Sequence, residues 1–116
     1  MKKKKIVIPE NYLDRVPVRA PSVGWDTDAD GLVVLKIENT GWVNRLVQKL
    51  FFRPKFSYVH LDSLGSFIWP LIDGETSLTE LGKAVDEHFG EEAHPLYERL
   101  AQYFRILDSY RFITWK

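Results

Sequence analysis

The stretch that decides the predicted fold is FSYVHLDSLGSFIWPLIDGETSLTELGKAVDEHF, residues 56–89. Its first six residues are rich in aromatic and β-branched side chains, which predicts a strand. Asp62 suits the N-terminal cap of a first helix, and Pro70 should end that helix because proline has no backbone N–H to donate. After an Asp-Gly turn, Ser77 and Glu80 form a capping box that starts a second helix. A strand that leads into two short helices predicts a winged-helix-like unit.

Two more strands precede this stretch and a third helix follows it. Residues 23–27 and 32–37 are β-rich runs separated by Asp-Ala-Asp-Gly, which predicts an antiparallel hairpin because Asp-Gly supplies the positive φ of a tight turn. Apolar residues recur at helical spacing over residues 96–107, and residues 112–115 form a final short strand or tail. The predicted fold is therefore α+β and winged-helix-like, with an N-terminal antiparallel three-stranded sheet followed by three helices.

The length and composition predict one folded domain with a basic extension. The chain has 116 residues, of which 45% are hydrophobic. Its start, MKKKKIVIPENY, has the charge of a signal peptide but not the apolar run, so we expect residues 1–15 to be a flexible basic arm and residues 16–116 a single domain. The chain contains no cysteine and no apolar run near the ~20 residues of a membrane span, which favours a cytoplasmic location.

Residues 42–52 predict an extra amphipathic helix, placed in an insertion at 41–55 between the second and third strands. One side carries apolar residues such as Trp42 and Leu46, and the opposite side carries only positive charge. Three roles are open for this helix. It covers the sheet, it docks onto a partner enzyme or a second copy, or it lies on a membrane surface.

The residue patterns of common active sites are missing from the sequence. His60, His88 and His94 do not have the spacing of metal ligands. No serine lies in a Gly-x-Ser-x-Gly elbow, and there is no glycine-rich phosphate loop. We therefore expect a protein that is not an enzyme, with no catalytic residues, no cofactor and no metal.

The charge distribution disfavours binding to nucleic acid. Residues 1–55 carry 11 Lys/Arg and 6 Asp/Glu, whereas residues 56–116 carry 5 Lys/Arg and 10 Asp/Glu. The predicted helical part is thus acidic, and an acidic recognition helix would be repelled by the phosphate backbone. A winged-helix DNA-binding regulator remains an alternative hypothesis, as does a scaffold that uses the inserted helix to dock on a membrane or a partner.

Several short motifs follow one another in a fixed order along residues 16–114. They are DGLVVL at 30–35, Leu61-Asp62, GSFIW at 65–69, Ile72-Asp73-Gly74, Thr76, Phe89-Gly90 and Phe112. In this order and spacing the chain resembles the PqqD-like family, also described as the recognition element for ribosomally synthesised and post-translationally modified peptides (RiPPs). The founding members join strands two and three by a short hairpin, so the insertion at 41–55 and the basic arm depart from the family pattern.

The resemblance implies a non-catalytic adaptor that works with a peptide and an enzyme. Proteins of this family hold the leader segment of a ribosomally made precursor peptide and present its core to a modifying enzyme, often a radical SAM protein. The leader is expected to add as an extra strand beside the third strand and to pack against the third helix, which is the binding mode called β-augmentation.

The residues themselves suit this role. The third strand carries neither proline nor an acidic residue before Leu61, so its edge can pair with another strand. Alternation assigns Val59 and Leu61 to the inward face. On the third helix a stripe displaced from the core carries a small residue between two aromatics, and Arg105 could meet an acidic leader residue. For each aromatic, an ordinary core position is the alternative. The predicted peptide-binding residues are Phe56, Ser57, Tyr58, Val59, His60, Tyr97, Ala101, Phe104, Arg105 and Asp108.

Overall fold

A computed structural model describes residues 11–38 and 56–116 of the chain. These residues belong to two compact units, which we call the sheet unit (residues 21–38 and 56–66) and the helical unit (residues 11–20 and 67–116). The helix predicted at 41–55 and residues 1–10 of the arm lie outside the described residues. The strands and helices are β1 (Pro17–Arg19), β2 (Val23–Thr27), β3 (Val33–Glu38), β4 (Phe56–His60), α1 (Ser63–Ile68), α2 (Leu78–Phe89), α3 (Leu96–Ser109) and β5 (Ile113–Trp115).

The sheet unit contains the predicted antiparallel sheet, in the order β2-β3-β4. The turn between β2 and β3 is held by Asp28, whose carboxylate accepts hydrogen bonds from the N–H groups of Asp30 (2.9 Å) and Leu32 (3.0 Å). Gly31 has a φ of 80°, which confirms the predicted need for a residue that tolerates positive φ. The hairpin and the third strand are therefore as the sequence predicts.

Ser66 links the end of this sheet to α1. Its hydroxyl accepts a hydrogen bond from the Val33 N–H at 2.8 Å and donates one to the Leu61 carbonyl at 3.3 Å. Asp62 caps α1 as predicted, because its carboxylate accepts from the Gly65 N–H at 2.8 Å. These bonds fix the point at which β4 gives way to the helix.

The three helices begin and end where local signals place them. α1 ends at Ile68 and is followed by a 3-10 turn that contains Pro70. The Ser77 hydroxyl caps α2 by accepting from the Glu80 N–H at 3.3 Å, and Gly90, with a φ of 62°, ends that helix. The core of the helical unit consists of fully buried side chains, namely Ile68, Trp69, Ile72, Leu78, Leu81, Val85, Leu100, Phe104 and Ile113.

The predicted strand count is wrong, because the structure adds a second, two-stranded sheet in which β1 pairs with β5. The register pairs Val18 with Thr114, and the Ala20 N–H donates to the Phe112 carbonyl at 2.9 Å. In an antiparallel pair with this register Pro17 turns its main-chain groups away from β5, so its missing N–H removes no ladder bond.

The α+β class, the antiparallel pairing and the three helices are confirmed, whereas the winged-helix arrangement stays a prediction. The predicted arm, residues 1–15, includes a 3-10 turn at Tyr12–Asp14 that packs against α2. Two hydrogen bonds join α2 to this segment. The Thr79 hydroxyl donates to the Leu13 carbonyl at 2.9 Å, and the Leu78 N–H donates to the Arg15 carbonyl at 3.0 Å. Tyr12 in this turn is buried. In the parts of the chain given above, no helix is long and apolar enough to cross a membrane.

Candidate functional site

β4 is a terminal strand of the three-stranded sheet, within the residues that the structure describes. Its partner on one side is β3, with Leu35 opposite Val59 and Lys36 opposite Tyr58. A strand with one neighbour leaves half of its main-chain groups directed away from the sheet. β4 therefore has the topology that strand addition requires.

The register determines which main-chain groups face away from β3. The Leu61 N–H donates to the Val33 carbonyl at 2.9 Å, which makes these two residues a hydrogen-bonded pair. Because such pairs alternate along an antiparallel ladder, Val59 and Ser57 also bond to β3. The intervening residues, Tyr58 and His60, direct their N–H and C=O groups to the open edge. An incoming strand would pair with these two residues.

The two faces of β4 differ in character. Val59 lies opposite Leu35, which is fully buried, so the predicted inward assignment of Val59 agrees with the register. Tyr58 on the other face is 58% exposed. Phe56 lies on the same face as Tyr58, and the Lys36 ammonium sits 4.2 Å from its ring centroid, within the range of a cation–π contact.

The opposite edge of this sheet is less available. By the same alternation, β2 directs the main-chain groups of Thr27 outward, since Asp28 and Leu32 form a hydrogen-bonded pair at 2.8 Å. The Asp26 carboxylate already accepts the Thr27 N–H at 2.8 Å. An acidic side chain on an edge strand also discourages pairing with another chain. β4 is thus the better acceptor of the two edges.

The five predicted residues on α3 divide into two groups. Ala101 and Phe104 are fully buried, and the Phe104 ring lies 6.1 Å from that of Trp115, so both belong to the core of the helical unit. Tyr97 is 37% exposed, and Arg105 and Asp108 are exposed as well. Only the second group offers side-chain surface to a ligand, whereas the first supports the helix from beneath.

Gly82 positions Tyr97 and was missed by the sequence reasoning. A Cβ atom at this position would lie 3.0 Å from Cε1 of Tyr97 and 3.4 Å from Cδ2 of Leu100, which is closer than most real contacts. Glycine inside a helix costs about 1 kcal/mol relative to alanine. The signal that could have revealed this contact is therefore the presence of glycine in the middle of an otherwise well-formed helix.

Tyr12 is a second contribution that the sequence reasoning missed. Its ring packs edge-to-face on Trp115 at 5.8 Å, and the Arg105 guanidinium lies 5.8 Å from its centroid. Burial raises the pKa of the Tyr12 hydroxyl, while the positive charges of Arg105 and Arg15 lower it and the Asp108 carboxylate raises it. Two of the predicted site residues, Arg105 and Asp108, thus lie in the electrostatic environment of a side chain from the N-terminal segment.

Among the described side chains, no group of three or more His, Asp or Glu residues could hold a metal ion. His94 instead pairs with Asp86 at 3.0 Å, and His88 stacks on Phe67 with ring centroids 4.3 Å apart. His94 and His88 thus each contact another side chain of the fold.

Comparison with known proteins gives one match. A family model for coenzyme PQQ synthesis protein D (PqqD) covers residues 32–113, from just before β3 to the first residue of β5. The chain belongs to the PqqD family. PqqD is a family of RiPP recognition elements, and PqqD-type domains are generally non-catalytic. The family implies binding of a precursor peptide and cooperation with biosynthetic enzymes, and it does not favour the DNA-binding alternative. No curated protein and no solved structure matches the chain.

Proposed function

We propose that this protein is a non-catalytic adaptor that binds the leader segment of a ribosomally made precursor peptide by strand addition at β4. The adaptor presents the peptide to a modifying enzyme, for which the family resemblance suggests a radical SAM protein. The observation that carries the proposal is that Tyr58 and His60 direct their main-chain groups away from β3, at an edge of β4 that has no strand partner among the described residues.

In strand addition, main-chain hydrogen bonds give affinity and side-chain contacts give specificity. Hydrogen bonds to Tyr58 and His60 would give affinity with little dependence on the leader sequence. Alternate leader residues would lie on the same face as Val59, where Leu35 is fully buried, and would be apolar. The residues between them would lie on the exposed face with Tyr58.

The exposed group on α3 adds a second recognition surface. Tyr97 offers an aromatic ring held against Gly82, and Arg105 offers a guanidinium that suits a leader carboxylate. Asp108 lies one turn beyond Phe104 on the same stripe and would disfavour a second acidic leader residue nearby. Ser57 and Phe56 complete the strand, and the buried Ala101 and Phe104 keep the helix surface in place.

A two-dimensional amide NMR titration tests the proposal. The titrants are the leader segment of a candidate precursor peptide, the same leader in scrambled order, and a DNA duplex. We expect the leader to shift amides confined to Phe56–His60 and 97–108, and the scrambled peptide and the duplex to leave them unchanged. If the leader moves none of these amides, or if the duplex alone moves the basic N-terminal half, the adaptor function is refuted.

A further inference from the structure

An exposed apolar patch lies at the C-terminal end of α3, within the helical unit. Ile106 is 50% exposed and Tyr110 is 67% exposed. The half-buried Phe112 stacks on Tyr110, with ring centroids 5.4 Å apart and an interplanar angle of 21°. We call these three residues the α3 end patch. Large side chains at such exposure are costly unless they serve binding, and aromatic residues are enriched in the cores of protein interfaces.

The patch is separate from the surface that we assign to the leader. At 100° per residue, Ile106 lies 180° around α3 from Tyr97, and Tyr110 lies 40° beyond Ile106. Asp108 lies within about 20° of Tyr97. One side of the helix therefore carries the leader-binding candidates, and the opposite side carries the end patch.

The residue between Tyr110 and Phe112 has a backbone conformation that is unfavourable for any residue other than glycine. Arg111 has a φ of 61°. Its N–H donates to the Asp108 carbonyl at 3.0 Å, and the Phe112 N–H donates to the Leu107 carbonyl at 2.9 Å, which is the Schellman pattern of a helix end. Glycine is the usual residue at that position because it adopts positive φ without steric cost. A strained arginine next to exposed aromatics indicates that its side chain is needed there.

The charges around the patch define the partner that fits it. Residues 109–116, which include Tyr110 and Phe112, contain Arg111 and Lys116 and no Asp or Glu. The preceding acidic residue, Asp108, lies on the Tyr97 side of the helix. An apolar centre that adjoins the exposed Arg111 complements a protein surface with an apolar pocket and carboxylates at its rim.

We propose that the α3 end patch docks the modifying enzyme through an acidic-rimmed apolar surface on that enzyme, while the leader occupies the other surfaces. This inference rests on the proposed function. A homodimer and an anionic membrane are the alternative occupants of the patch, and the test below distinguishes them from the enzyme.

The test compares four variants of the full chain. Ile106→Asp, Tyr110→Ala and Arg111→Gly change the patch, and Leu71→Asp is the matched control, because Leu71 is an exposed apolar residue (37%) of the helical unit outside the patch. Two titrations are run for each: one with the leader peptide, and one with the purified modifying enzyme encoded beside the precursor gene. Sedimentation and vesicles of phosphatidylglycerol and phosphatidylcholine probe a second copy and a membrane.

We expect each patch variant to bind the enzyme about tenfold more weakly, with leader affinity and the Leu71→Asp control unchanged. Arg111→Gly should at the same time raise the melting temperature by about 4 °C, because the strain is relieved. If Arg111 had only a structural role, Arg111→Gly would raise the melting temperature without weakening enzyme binding. The inference is overturned if all variants bind the enzyme equally well or if the wild type does not bind the enzyme. It is also overturned if the patch substitutions weaken only vesicle binding or self-association. Failure of the wild type to bind the leader refutes the proposed function instead.

Discussion

Proline substitutions at two adjacent positions test which main-chain N–H groups of β4 face β3 and which face away from it. Tyr58→Pro removes an N–H that points to the open edge, whereas Val59→Pro removes one that bonds to β3. Proline fixes φ near −65° at either position, so the conformational cost is shared. Tyr58→Ala serves as the matched control, because it removes the same ring but keeps the N–H.

The magnitudes follow from the hydrogen bonds involved. Val59→Pro leaves the carbonyl of Leu35 without its donor, and Leu35 is fully buried, so the free energy of unfolding should fall by about 1–3 kcal/mol. Tyr58→Pro breaks no bond to β3, and should lose no more than about 1 kcal/mol relative to Tyr58→Ala. It should weaken leader binding by about 1 kcal/mol relative to Tyr58→Ala, which is about a fivefold rise in Kd.

Urea unfolding and fluorescence anisotropy with a labelled leader measure the two quantities. We expect the larger loss of stability in Val59→Pro and the specific loss of leader affinity in Tyr58→Pro. If Tyr58→Pro and Tyr58→Ala bind the leader equally, the peptide does not pair with this edge. If Tyr58→Pro is destabilised as much as Val59→Pro, the assignment of main-chain direction in β4 is wrong.

Three further predictions concern Ser66, Tyr12 and Asp73. Ser66→Ala should lower the free energy of unfolding by about 2 kcal/mol in a urea titration, because the Val33 N–H and the Leu61 carbonyl lose their partner. Tyr12→Phe should be at least as stable as the wild type at pH 7, because the buried Tyr12 hydroxyl has no hydrogen-bond partner among the described residues. Since burial raises the pKa of Tyr12 in the folded state, wild-type stability should fall as the pH rises above about 10, and less so in Tyr12→Phe. The pKa of Asp73 is lowered by hydrogen bonds from the backbone after it, so its contribution is present above about pH 4 and lost on acidification, and Asp73→Asn should reduce that acid sensitivity.

A specific result would contradict each of these three predictions. Ser63→Ala, on the exposed first residue of α1, controls for loss of a hydroxyl, and a Ser66→Ala variant as stable as this control would remove Ser66 from the ladder. A Tyr12→Phe variant with the alkaline stability loss of the wild type would show that another tyrosine causes it. Parallel acid unfolding curves for the wild type and Asp73→Asn would contradict the lowered pKa of Asp73.

Local signals in the sequence predicted most of the fold. The Asp-Gly turn before β3, the Asp62 and Ser77 caps and the stop at Pro70 each act within a few residues, so they can be identified without tertiary structure. The pairing of β1 with β5 could not be predicted in this way. It joins three-residue strands that lie more than 90 positions apart, and neither strand is long enough to show a periodic pattern.

The candidate site was only partly predictable for a similar reason. Alternation assigned Val59 correctly to the inward face, but the groups that face the open edge follow from the register with β3, which depends on tertiary pairing. Helical periodicity places Ala101 and Phe104 on one stripe with Tyr97, but it does not separate buried from exposed members. Tyr12 contacts the site region through a fold-back of the chain that no local pattern indicates.

Amide hydrogen exchange at Tyr58 and His60, measured by NMR with and without the leader peptide, tests strand addition most directly. In the free protein both amides face the open edge and should exchange faster than those of Ser57 and Val59, which bond to β3. A saturating leader should slow exchange at Tyr58 and His60 by at least about tenfold, because each gains a hydrogen-bond acceptor. Unchanged exchange at these two amides in a protein that has bound the leader would contradict β-augmentation at β4.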